Sequence, residues 1–330
     1  MNKTGFYFVS GHVFDKSFFT TFSTAEYGNC FTIDLSWIKA VGSGPQNGVN
    51  FVFNVESHEY FNEITSGYGV RMVIHERGRI VLPETEGLTL STNQETNIGL
   101  QLIKVERLGG KYGSCTDGRS FLDTHNLNYT VQLCYIVCQI EHIESECGCV
   151  PVSTPDRYKT DRPVCDTFAN KTLDLCVGGT KFDVLNGHVE CDCPPRCQDQ
   201  LYTYTSSGRQ WPHENYLRDV LIDEVCNRGY EKPFYQDLCK RYADRELTDA
   251  DMANMSRNFA AVNVYFEDLN YEMLKEEPMY NPVRFLSDIG GTMGLFTGAS
   301  MLTYFEILHV LVAIGIFFCS KRRPAVHNMD

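Results

Sequence analysis

Small and ionisable residues interrupt the most apolar stretch of the chain, close to its C-terminus. From Ile289 to Phe318 the only acidic or basic side chains are Glu306 and His309. Small residues recur through its first half: Gly290, Gly291, Gly294, Gly298 and Ser300. Glycines four residues apart let helix backbones approach closely, and a carboxylate in lipid is costly unless it faces a bundle interior or water. The pattern therefore predicts a helix-packing face with a carboxylate turned away from lipid.

The same stretch is long enough to cross a bilayer. It covers about thirty residues, more than the roughly twenty that a spanning helix needs. Lys321, Arg322 and Arg323 follow directly, and basic residues mark the cytosolic side of a span. We therefore expect an extracellular domain at 1–284, a transmembrane segment at 285–319 and a cytosolic tail at 320–330, in the plasma membrane.

Composition agrees with an extracellular location. Fourteen cysteines in 330 residues are typical of an oxidising compartment, and the Cys-x2-Cys pairs of zinc sites are lacking, so we expect disulfides and no metal site. The net charge of −13 argues against nucleic-acid binding. Four glycosylation sequons begin at Asn2, Asn128, Asn170 and Asn254. No Gly-x-Ser-x-Gly, His-Glu-x-x-His or metal triad is evident, so we expect a protein that is not an enzyme.

Apolar periodicity predicts a mixed α/β domain. Alternation of apolar residues predicts strands at 30–35, 49–56, 69–75, 79–82, 99–106 and 259–269. Helical spacing predicts helices at 121–145 and 212–226, and 150–200 reads as a loop region tied by cystines. Cys134 and Cys138 lie about 6 Å apart along a helix, and Cys191 and Cys193 lie about 6.6 Å apart if extended. Two adjacent bridges could join these pairs, but the spacing leaves the connectivity open.

The C-terminal motif has a close likeness among known families. Asp288-Ile-Gly-Gly-x-Met-Gly-Leu-Phe, then Gly298-Ala-Ser300 and x-Leu-Thr-x-x-Glu306, resembles the second transmembrane segment of the degenerin/epithelial sodium channel family. Acid-sensing subunits are the most similar members. The resemblance extends upstream through Tyr265-Phe-Glu-Asp-Leu-Asn-Tyr271, the cysteine array and Tyr27-Gly-Asn-Cys30. It covers nearly the whole chain and is weakest at 200–255.

This resemblance implies a pore-forming subunit of a trimeric, sodium-selective, amiloride-sensitive channel, either homomeric or heteromeric with family subunits. Na⁺ would be the permeant ion, and no cofactor is implied. The filter would be Gly298, Ala299 and Ser300, where the helix breaks and backbone carbonyls line the pore. Further pore or gate positions would be Ser287, Asp288, Gly291, Gly294, Glu306 and His309.

Two residues of the pore motif bear on gating and permeation. Ser287 matches the position at the pore mouth where side-chain bulk influences gating. His309 stands where acid-sensing members usually carry an acid, and a histidine would add positive charge at low pH. A histidine that only packs between helices is the alternative.

The stimulus that opens the channel is less well defined by the motifs. Glu267 matches a carboxylate of the central strand in acid-sensing channels, and Tyr112 stands where those channels carry a coupling tryptophan. Extracellular protons or a peptide are the expected stimuli. The other acids near the cysteine array could take part in proton sensing, and the alternative is that they are ordinary solvated surface charges.

The disulfide connectivity that the family implies is a ladder in the thumb, at about 115–200. The implied pairs are Cys115–Cys197, Cys134–Cys193, Cys138–Cys191, Cys147–Cys176 and Cys149–Cys165. Cys226 and Cys239 have no family equivalent and could form a local pair. Cys319 would lie at the cytosolic membrane face, and Cys30 has no partner that the chain identifies.

The fold we expect is an α+β, disulfide-rich extracellular domain followed by one C-terminal transmembrane helix. Its mixed β core includes a palm strand at 259–269, a helical thumb at about 115–200 and knuckle-like helices at about 212–256. Family members carry two membrane helices, whereas Met1 opens within the extracellular domain, so we expect a chain truncated before the first helix.

Two further functions stay open. One is a single-pass, disulfide-rich receptor or adhesion protein, and the other is a truncated, dominant-negative channel subunit. A receptor anchor would be plainly apolar, so the small-residue tract and Glu306 favour a channel.

Overall fold

The computed structural model describes residues 6–8, 18–24, 26–36, 38–60, 66–155, 157–227, 232–298 and 300–321. The chain divides into two compact units, Met1–Glu276 and Glu277–Asp330. The first unit is mixed α/β and rich in disulfides, as expected for the extracellular domain. The second is helical.

Strands of the first unit form three antiparallel or mixed sheets. Within the described residues they are β1 (Phe6–Phe8), β2 (Phe19–Thr24), β3 (Gly28–Ile33), β4 (Val49–Asn54), β5 (Gly69–Met72), β6 (Leu88–Ser91), β7 (Gln94–Glu106), β8 (Gln198–Gln210) and β9 (Phe259–Lys275). The main sheet has the order β1-β4-β9-β7-β8, and β2-β3 and β5-β6 are two-stranded. Only β7 and β9 of the main sheet run parallel.

Strand β9 forms the centre of the main sheet because its first half is apolar on both faces. Phe259 and Ala261 pack with the helices that follow β8, whereas Val262 packs on the opposite face with Ile98 and Leu100. Such two-sided burial is typical of a strand covered on both faces. The alternation read from the sequence is confirmed here, and β9 extends beyond it to Lys275.

The helices between β8 and β9 cover one face of the sheet. They are α4 (Glu214–Tyr216), a π-helical turn at Leu217–Ile222, α5 (Asp223–Asn227), α6 (Pro233–Ala243) and α7 (Asp249–Ser256). Their buried side chains, Leu217, Ile222, Tyr235 and Met255 among them, form one core cluster with Phe259. These helices lie within residues 212–256, and the assignment of this segment as knuckle-like stays a prediction.

The thumb contains α1 (Arg119–His125), α2 (Val131–Cys147) and α3 (Lys171–Leu185). Thr130 caps α2 by accepting a hydrogen bond from the Leu133 amide at 3.0 Å. Gly148 ends α2 in the left-handed region, with φ 71°, and its amide donates to the Glu144 carbonyl. Five residues of α2 are buried, so this helix is the thumb's core: Leu133, Cys134, Val137, Ile140 and Ile143.

Six disulfides connect cysteines of the described residues. Five lie in the thumb: Cys115–Cys197, Cys134–Cys193, Cys138–Cys191, Cys147–Cys176 and Cys149–Cys165. They are nested, each enclosing the next along the chain. Cys226–Cys239 joins α5 to α6. The five thumb pairs are those that the resemblance implies, and Cys226–Cys239 is the local pair that the sequence left open. Cys30 is the cysteine among the described side chains without a disulfide.

Several predicted elements differ from the structure. Residues 79–82 form no strand, and the partner of β5 is β6, which follows a turn at 83–87. The helix predicted at 121–145 is two helices, because Asn126 adopts the left-handed conformation and ends α1. The region expected as loop at 150–200 contains the 15-residue helix α3. Cys191 and Cys193 lie in an irregular segment, so the two bridges join helix to loop.

Because the apolar side chains of α2 are buried, shortening one of them should lower the free energy of unfolding considerably. Leu133 is 0% exposed, whereas Leu175 on α3 is 68% exposed. We expect Leu133→Ala to lower the free energy of unfolding by about 2–5 kcal/mol through lost burial and a residual cavity. Leu175→Ala, the matched control, should change it by less than about 0.5 kcal/mol. Guanidinium unfolding of the purified, disulfide-intact chain measures both, and equal effects would contradict the assigned core.

His58 follows the end of β4 and packs against α6, and we expect this contact to weaken in acid. His58 stacks on Phe234 at 4.1 Å and lies 3.7 Å from Glu59. Burial lowers the pKa of His58 below its ordinary value, with Glu59, Glu56 and Lys232 acting more weakly. The unfolded chain therefore binds a proton more readily, and stability is lost as the pH falls below about 6.5.

We expect His58→Gln to reduce the fall in melting temperature between pH 7.5 and pH 5.5. The control is His188→Gln, because His188 is exposed and pairs with Asp183 at 3.1 Å. Thermal unfolding at both pH values measures the difference. An unchanged acid response in His58→Gln would place the acid sensitivity elsewhere.

Candidate functional site

The second unit begins with a capped helix. Helix α8 (Pro282–Thr297) follows Asn281, whose side chain accepts a hydrogen bond from the Arg284 amide at 2.7 Å. Proline at the first helical position needs no amide acceptor and has a φ suited to a helix. Ser287, Asp288, Gly291 and Gly294 all lie on this helix, so it carries the expected gate positions.

Gly298 ends α8 and breaks the apolar segment. Its φ is 63°, in the left-handed region, and its amide donates to the Gly294 carbonyl at 3.0 Å. This geometry favours glycine because a side chain would be strained there. The second helix, α9 (Met301–Lys321), starts three residues later. The segment expected as one transmembrane helix over 285–319 is therefore divided into two helices at the predicted filter.

The start of α9 is held by reciprocal hydroxyl bonds. The Ser300 amide donates to Thr303 Oγ1 at 3.3 Å, and the Thr303 amide donates to Ser300 Oγ at 3.4 Å. The two hydroxyls also lie 3.3 Å apart. Ser300 thus combines the role of a helix cap with the position expected for the filter. Ala299, the middle filter residue, lies outside the described residues.

Hydroxyl side chains along α8 bond to the helix itself. Ser287 Oγ donates to the Val283 carbonyl at 2.9 Å, Thr292 Oγ1 to Asp288 at 2.6 Å and Thr297 Oγ1 to Met293 at 2.6 Å. Each bond spans one helical turn. A hydroxyl satisfied in this way can lie in apolar surroundings without an outside partner.

No single helix among the described residues is long and apolar enough to cross a bilayer. Pro282–Thr297 and Leu302–Phe318 meet the criterion together, with a bend of 86° between them.

Apolar side chains of this unit are largely uncovered in the isolated chain. Leu295 and Phe296 beside the break are 83% and 82% exposed, and Leu302 is 69% exposed. Across the break, the Tyr304 hydroxyl lies 3.9 Å from Met293 Sδ. Such exposure marks surfaces that a membrane or another chain covers.

Glu306 and His309 of α9 are both exposed. Glu306 lines a cavity of roughly 240 Å³ with Thr303, Ile307, Val310 and Leu311. His309 lies less than one turn beyond Glu306 and does not line this cavity. A Cβ atom at Gly291 would have no neighbouring atom within 4 Å, and Gly294 is half-buried.

Glu267, in the first unit, joins three strands of the main sheet. Gln101 of β7 donates to Glu267 Oε2 at 2.8 Å, and Thr205 of β8 donates to Glu267 Oε1. The carboxylate lies at a shift in the β7–β9 register, where Leu100 pairs with Phe266 but Leu102 pairs with Tyr271. One half-buried carboxylate therefore links the strands where backbone pairing is interrupted.

Tyr112 lies in the connection that follows β7. It ends a short 3-10 helix, Gly110–Tyr112; the residue is 54% exposed, and the Lys111 ammonium lies 5.0 Å from the centroid of its ring. The structure thus presents an aromatic surface side chain three residues before Cys115, which forms the bridge with Cys197. Its role in coupling stays a prediction.

The sequons lie on exposed surfaces wherever they are described. Asn128, Asn170 and Asn254 are exposed, and Asn2 lies outside the described residues. Asn170 also caps α3, accepting from the Thr172 and Leu173 amides through Oδ1. Its Nδ2 atom, where a glycan attaches, takes no part in that cap.

The sequence motif identifies Glu267 but not the side chains that donate hydrogen bonds to its carboxylate. Gln101 and Thr205 are 166 and 62 residues away along the chain. The alternation of threonines and tyrosines at 202–205 was a usable signal for β8, because such residues favour strands. It could not show that one threonine meets Glu267.

Comparison with known proteins covers most of the chain. Residues 6–310 match the family described as "Amiloride-sensitive sodium channel". The chain is 28% identical to the Epithelial sodium channel subunit alpha of Xenopus laevis over 326 residues, 93% of this chain and 47% of that protein. It is 28% identical to Degenerin del-1 of Caenorhabditis elegans over 307 residues, 90% of this chain and 42% of that protein. The chain spans less than half the length of each of these relatives.

The Glu267 contacts predict a local weakening when its charge is removed. We expect Glu267→Gln to speed amide exchange in β8 around Thr205 and in β9 beyond Glu267 by about tenfold, because a hydrogen bond to a charged group is worth about 1.5–3 kcal/mol. Glu272→Gln is the control, since Glu272 is exposed on the same strand. Hydrogen–deuterium exchange of the full chain measures both. Equal rates in wild type and Glu267→Gln would show that the carboxylate does not hold the strands.

Proposed function

The chain belongs to the amiloride-sensitive sodium channel family, and on that premise we propose that it is a pore-forming subunit of a trimeric, sodium-selective, amiloride-sensitive channel. The observation that carries this proposal is the break at Gly298. A helix that ends within an apolar segment frees backbone carbonyls, which lipid cannot satisfy. Such carbonyls are tolerated where they line water or protein.

The filter in this proposal is Gly298, Ala299 and Ser300. Carbonyl oxygens from three copies would replace part of the hydration shell of Na⁺ at the break. The left-handed φ of Gly298 supports the assignment, because it turns the backbone out of the helical path. The Ser300–Thr303 hydroxyl pair supports it too, since it starts a new helix immediately after the filter.

Glu306 would attract cations on the far side of the filter. It is exposed in the isolated chain and lies within two turns of Ser300. A carboxylate in an apolar helix is costly against lipid and favourable beside a water-filled path. Three such carboxylates would favour cations over anions.

We place residues 285–319 in the plasma membrane, with the first unit extracellular and the tail cytosolic. The exposed apolar side chains on α8 and α9 support membrane or neighbouring subunits as their cover. The six disulfides support an oxidising compartment for the first unit. Lys321, Arg322 and Arg323 support a cytosolic end.

Family subunits are the proposed partners. The chain resembles both an alpha and a gamma subunit of the epithelial sodium channel of Xenopus laevis, at 28% and 27% identity. We propose a homotrimer or a heterotrimer with such subunits. An extracellular stimulus, protons or a peptide, would act through β9, which continues in sequence towards α8.

A cysteine at the filter tests whether this chain lines a pore. We expect that Ser300→Cys, expressed in oocytes alone and with an alpha subunit, makes the amiloride-sensitive sodium current sensitive to a small cationic thiol reagent. The reason is that a thiol at the narrowest part would be accessible and its modification would obstruct Na⁺. Two-electrode voltage clamp measures the current before and after the reagent.

The matched control is Ser91→Cys, at the exposed end of β6 in the first unit. It should leave the current insensitive to the reagent. A current that is equally insensitive in Ser300→Cys would exclude this chain from the pore. Suppression of the alpha-subunit current by the wild-type chain would indicate a dominant-negative subunit, and no effect of any kind would favour a receptor.

A further inference from the structure

Among the large apolar side chains that the structure describes, Phe168 in the thumb is the most exposed. It is 101% exposed, whereas Val41, the next in order, is 89% exposed. A phenyl ring in water lacks the favourable free energy that burial of its apolar area would give. A group that covered the Phe168 ring would therefore stabilise the chain.

A short turn holds Phe168 beside the start of α3. The Asn170 amide donates to the Asp166 carbonyl at 3.2 Å, and the Ala169 amide donates to Asp166 Oδ1 at 3.0 Å. Phe168 is the central residue of the five-residue turn that the first of these bonds closes. Its Cα atom lies at most about 7 Å from that of Asn170, two positions later. The turn therefore keeps the two side chains within reach of one small group.

The Asn170 side chain is held in one orientation by its role as the cap of α3. Its Oδ1 atom accepts hydrogen bonds from the Thr172 and Leu173 amides at 3.1 and 3.2 Å. The carboxamide group is planar, so Nδ2 lies on the side away from these amides. Asn170-Lys-Thr172 is a glycosylation sequon, and both Asn170 and Thr172 are exposed. The cap thus directs the atom that would be glycosylated away from the helix.

The other two sequons in the described residues have different surroundings. Asn128 Nδ2 donates to the Gly78 carbonyl at 2.6 Å, so the atom that would be glycosylated already has a partner. Asn254 lies within α7, and Met252, two positions before it, is only 6% exposed. At Asn170, by contrast, Nδ2 is directed outwards and an uncovered aromatic ring lies two positions earlier.

We propose that Asn170 carries an N-linked glycan whose first N-acetylglucosamine packs on the ring of Phe168. The proposal rests on the extracellular placement of the first unit. C1 of the sugar forms a bond to Asn170 Nδ2, the bond from C1 to the diphosphate of a lipid-linked oligosaccharide donor breaks, and a base of the transferase takes one proton from Nδ2. Oδ1 keeps both of its hydrogen bonds, so the cap of α3 survives the modification.

The chemistry of the sugar and of the ring suits this contact. A pyranose ring presents C–H groups that carry partial positive charge, because oxygen is bonded to the same carbon atoms. The face of an aromatic ring carries partial negative charge and attracts such groups. Contact also removes apolar area of both rings from water. Because the sugar is covalently attached two residues away, the contact is intramolecular and needs no free ligand.

A double-mutant cycle on the full chain in detergent tests the proposal. The chain is produced in cells that make only high-mannose glycans, and endoglycosidase H trims each glycan to one N-acetylglucosamine. Thr172→Ala removes the sequon but leaves the Asn170 cap, and Phe168→Ala removes the ring. We expect wild type to melt about 2 °C above Thr172→Ala, the size of one such contact in a chain of this length. The same comparison in the Phe168→Ala background should show no difference.

A matched control and a direct probe of the contact accompany the cycle. Phe182→Ala is the control, because Phe182 is another exposed phenylalanine of the thumb, 61% exposed towards the end of α3 and outside any sequon. It should leave the contribution of the glycan unchanged. With ¹³C-labelled N-acetylglucosamine, the C–H proton resonances of the sugar on Asn170 should lie upfield through the ring current of Phe168. Phe168→Ala should abolish this upfield shift.

Mass spectrometry of the glycopeptides separates failure of this proposal from failure of the proposed function. An unmodified Asn170 beside a modified Asn128 or Asn254 would overturn the glycan at Asn170 alone. If all three were unmodified, the extracellular placement of the first unit would fall as well. A modified Asn170 with an equal stabilising effect in both Phe168 backgrounds, or with unshifted sugar resonances, would overturn the contact. No ionic current is measured, so the proposed filter is unaffected by any of these outcomes.

Discussion

The parallel pairing of β7 with β9 is the interaction on which the first unit depends. Parallel strands cannot be joined by a tight turn, so a long connection must leave the sheet and return. Here the connection from β7 to β9 runs from 107 to 258 and includes the thumb, β8 and the knuckle-like helices. Both apolar clusters of the sheet use β9 residues, Phe259 and Ala261 on one face and Val262 on the other. The cluster around Val262 also contains Ile98 and Leu100 of β7, so it closes only when this pairing forms.

The thumb has a different source of stability, because its hydrophobic core is small. Helix α3 buries only Val177, and the cluster that contains it includes Cys149 and Cys165. Such a small core supplies little burial, so covalent links must limit the unfolded chain instead. The disulfides also hold Cys191 and Cys193 against α2 although no strand forms there. The sheet is stabilised mainly by the packing of apolar side chains, and the thumb mainly by its disulfides.

Local patterns in the sequence identified much of this fold. The alternation in β9 follows from residues close together in the chain, whereas the connectivity of the cysteine ladder and the break at Gly298 were implied by the resemblance to the family. Helix α3 was missed because Gly178 and Gly179 lower its helix propensity, and its position is fixed by the Cys147–Cys176 bridge. Strand β8 was missed because it is largely exposed and polar. The hydrogen bonds to Glu267 come from Gln101 and Thr205, which are distant in the chain, so no local pattern could predict them.

Nesting of the five thumb disulfides has a consequence for cleavage of the chain. A protease that cut the backbone between Cys149 and Cys165 would leave the two fragments joined by all five bridges, since each bridge spans the cut. A cut between Cys176 and Cys191 would still leave three bridges intact across it. The tip of the thumb can therefore be nicked without being shed, and such a nick would loosen the tip while the base stays covalently closed.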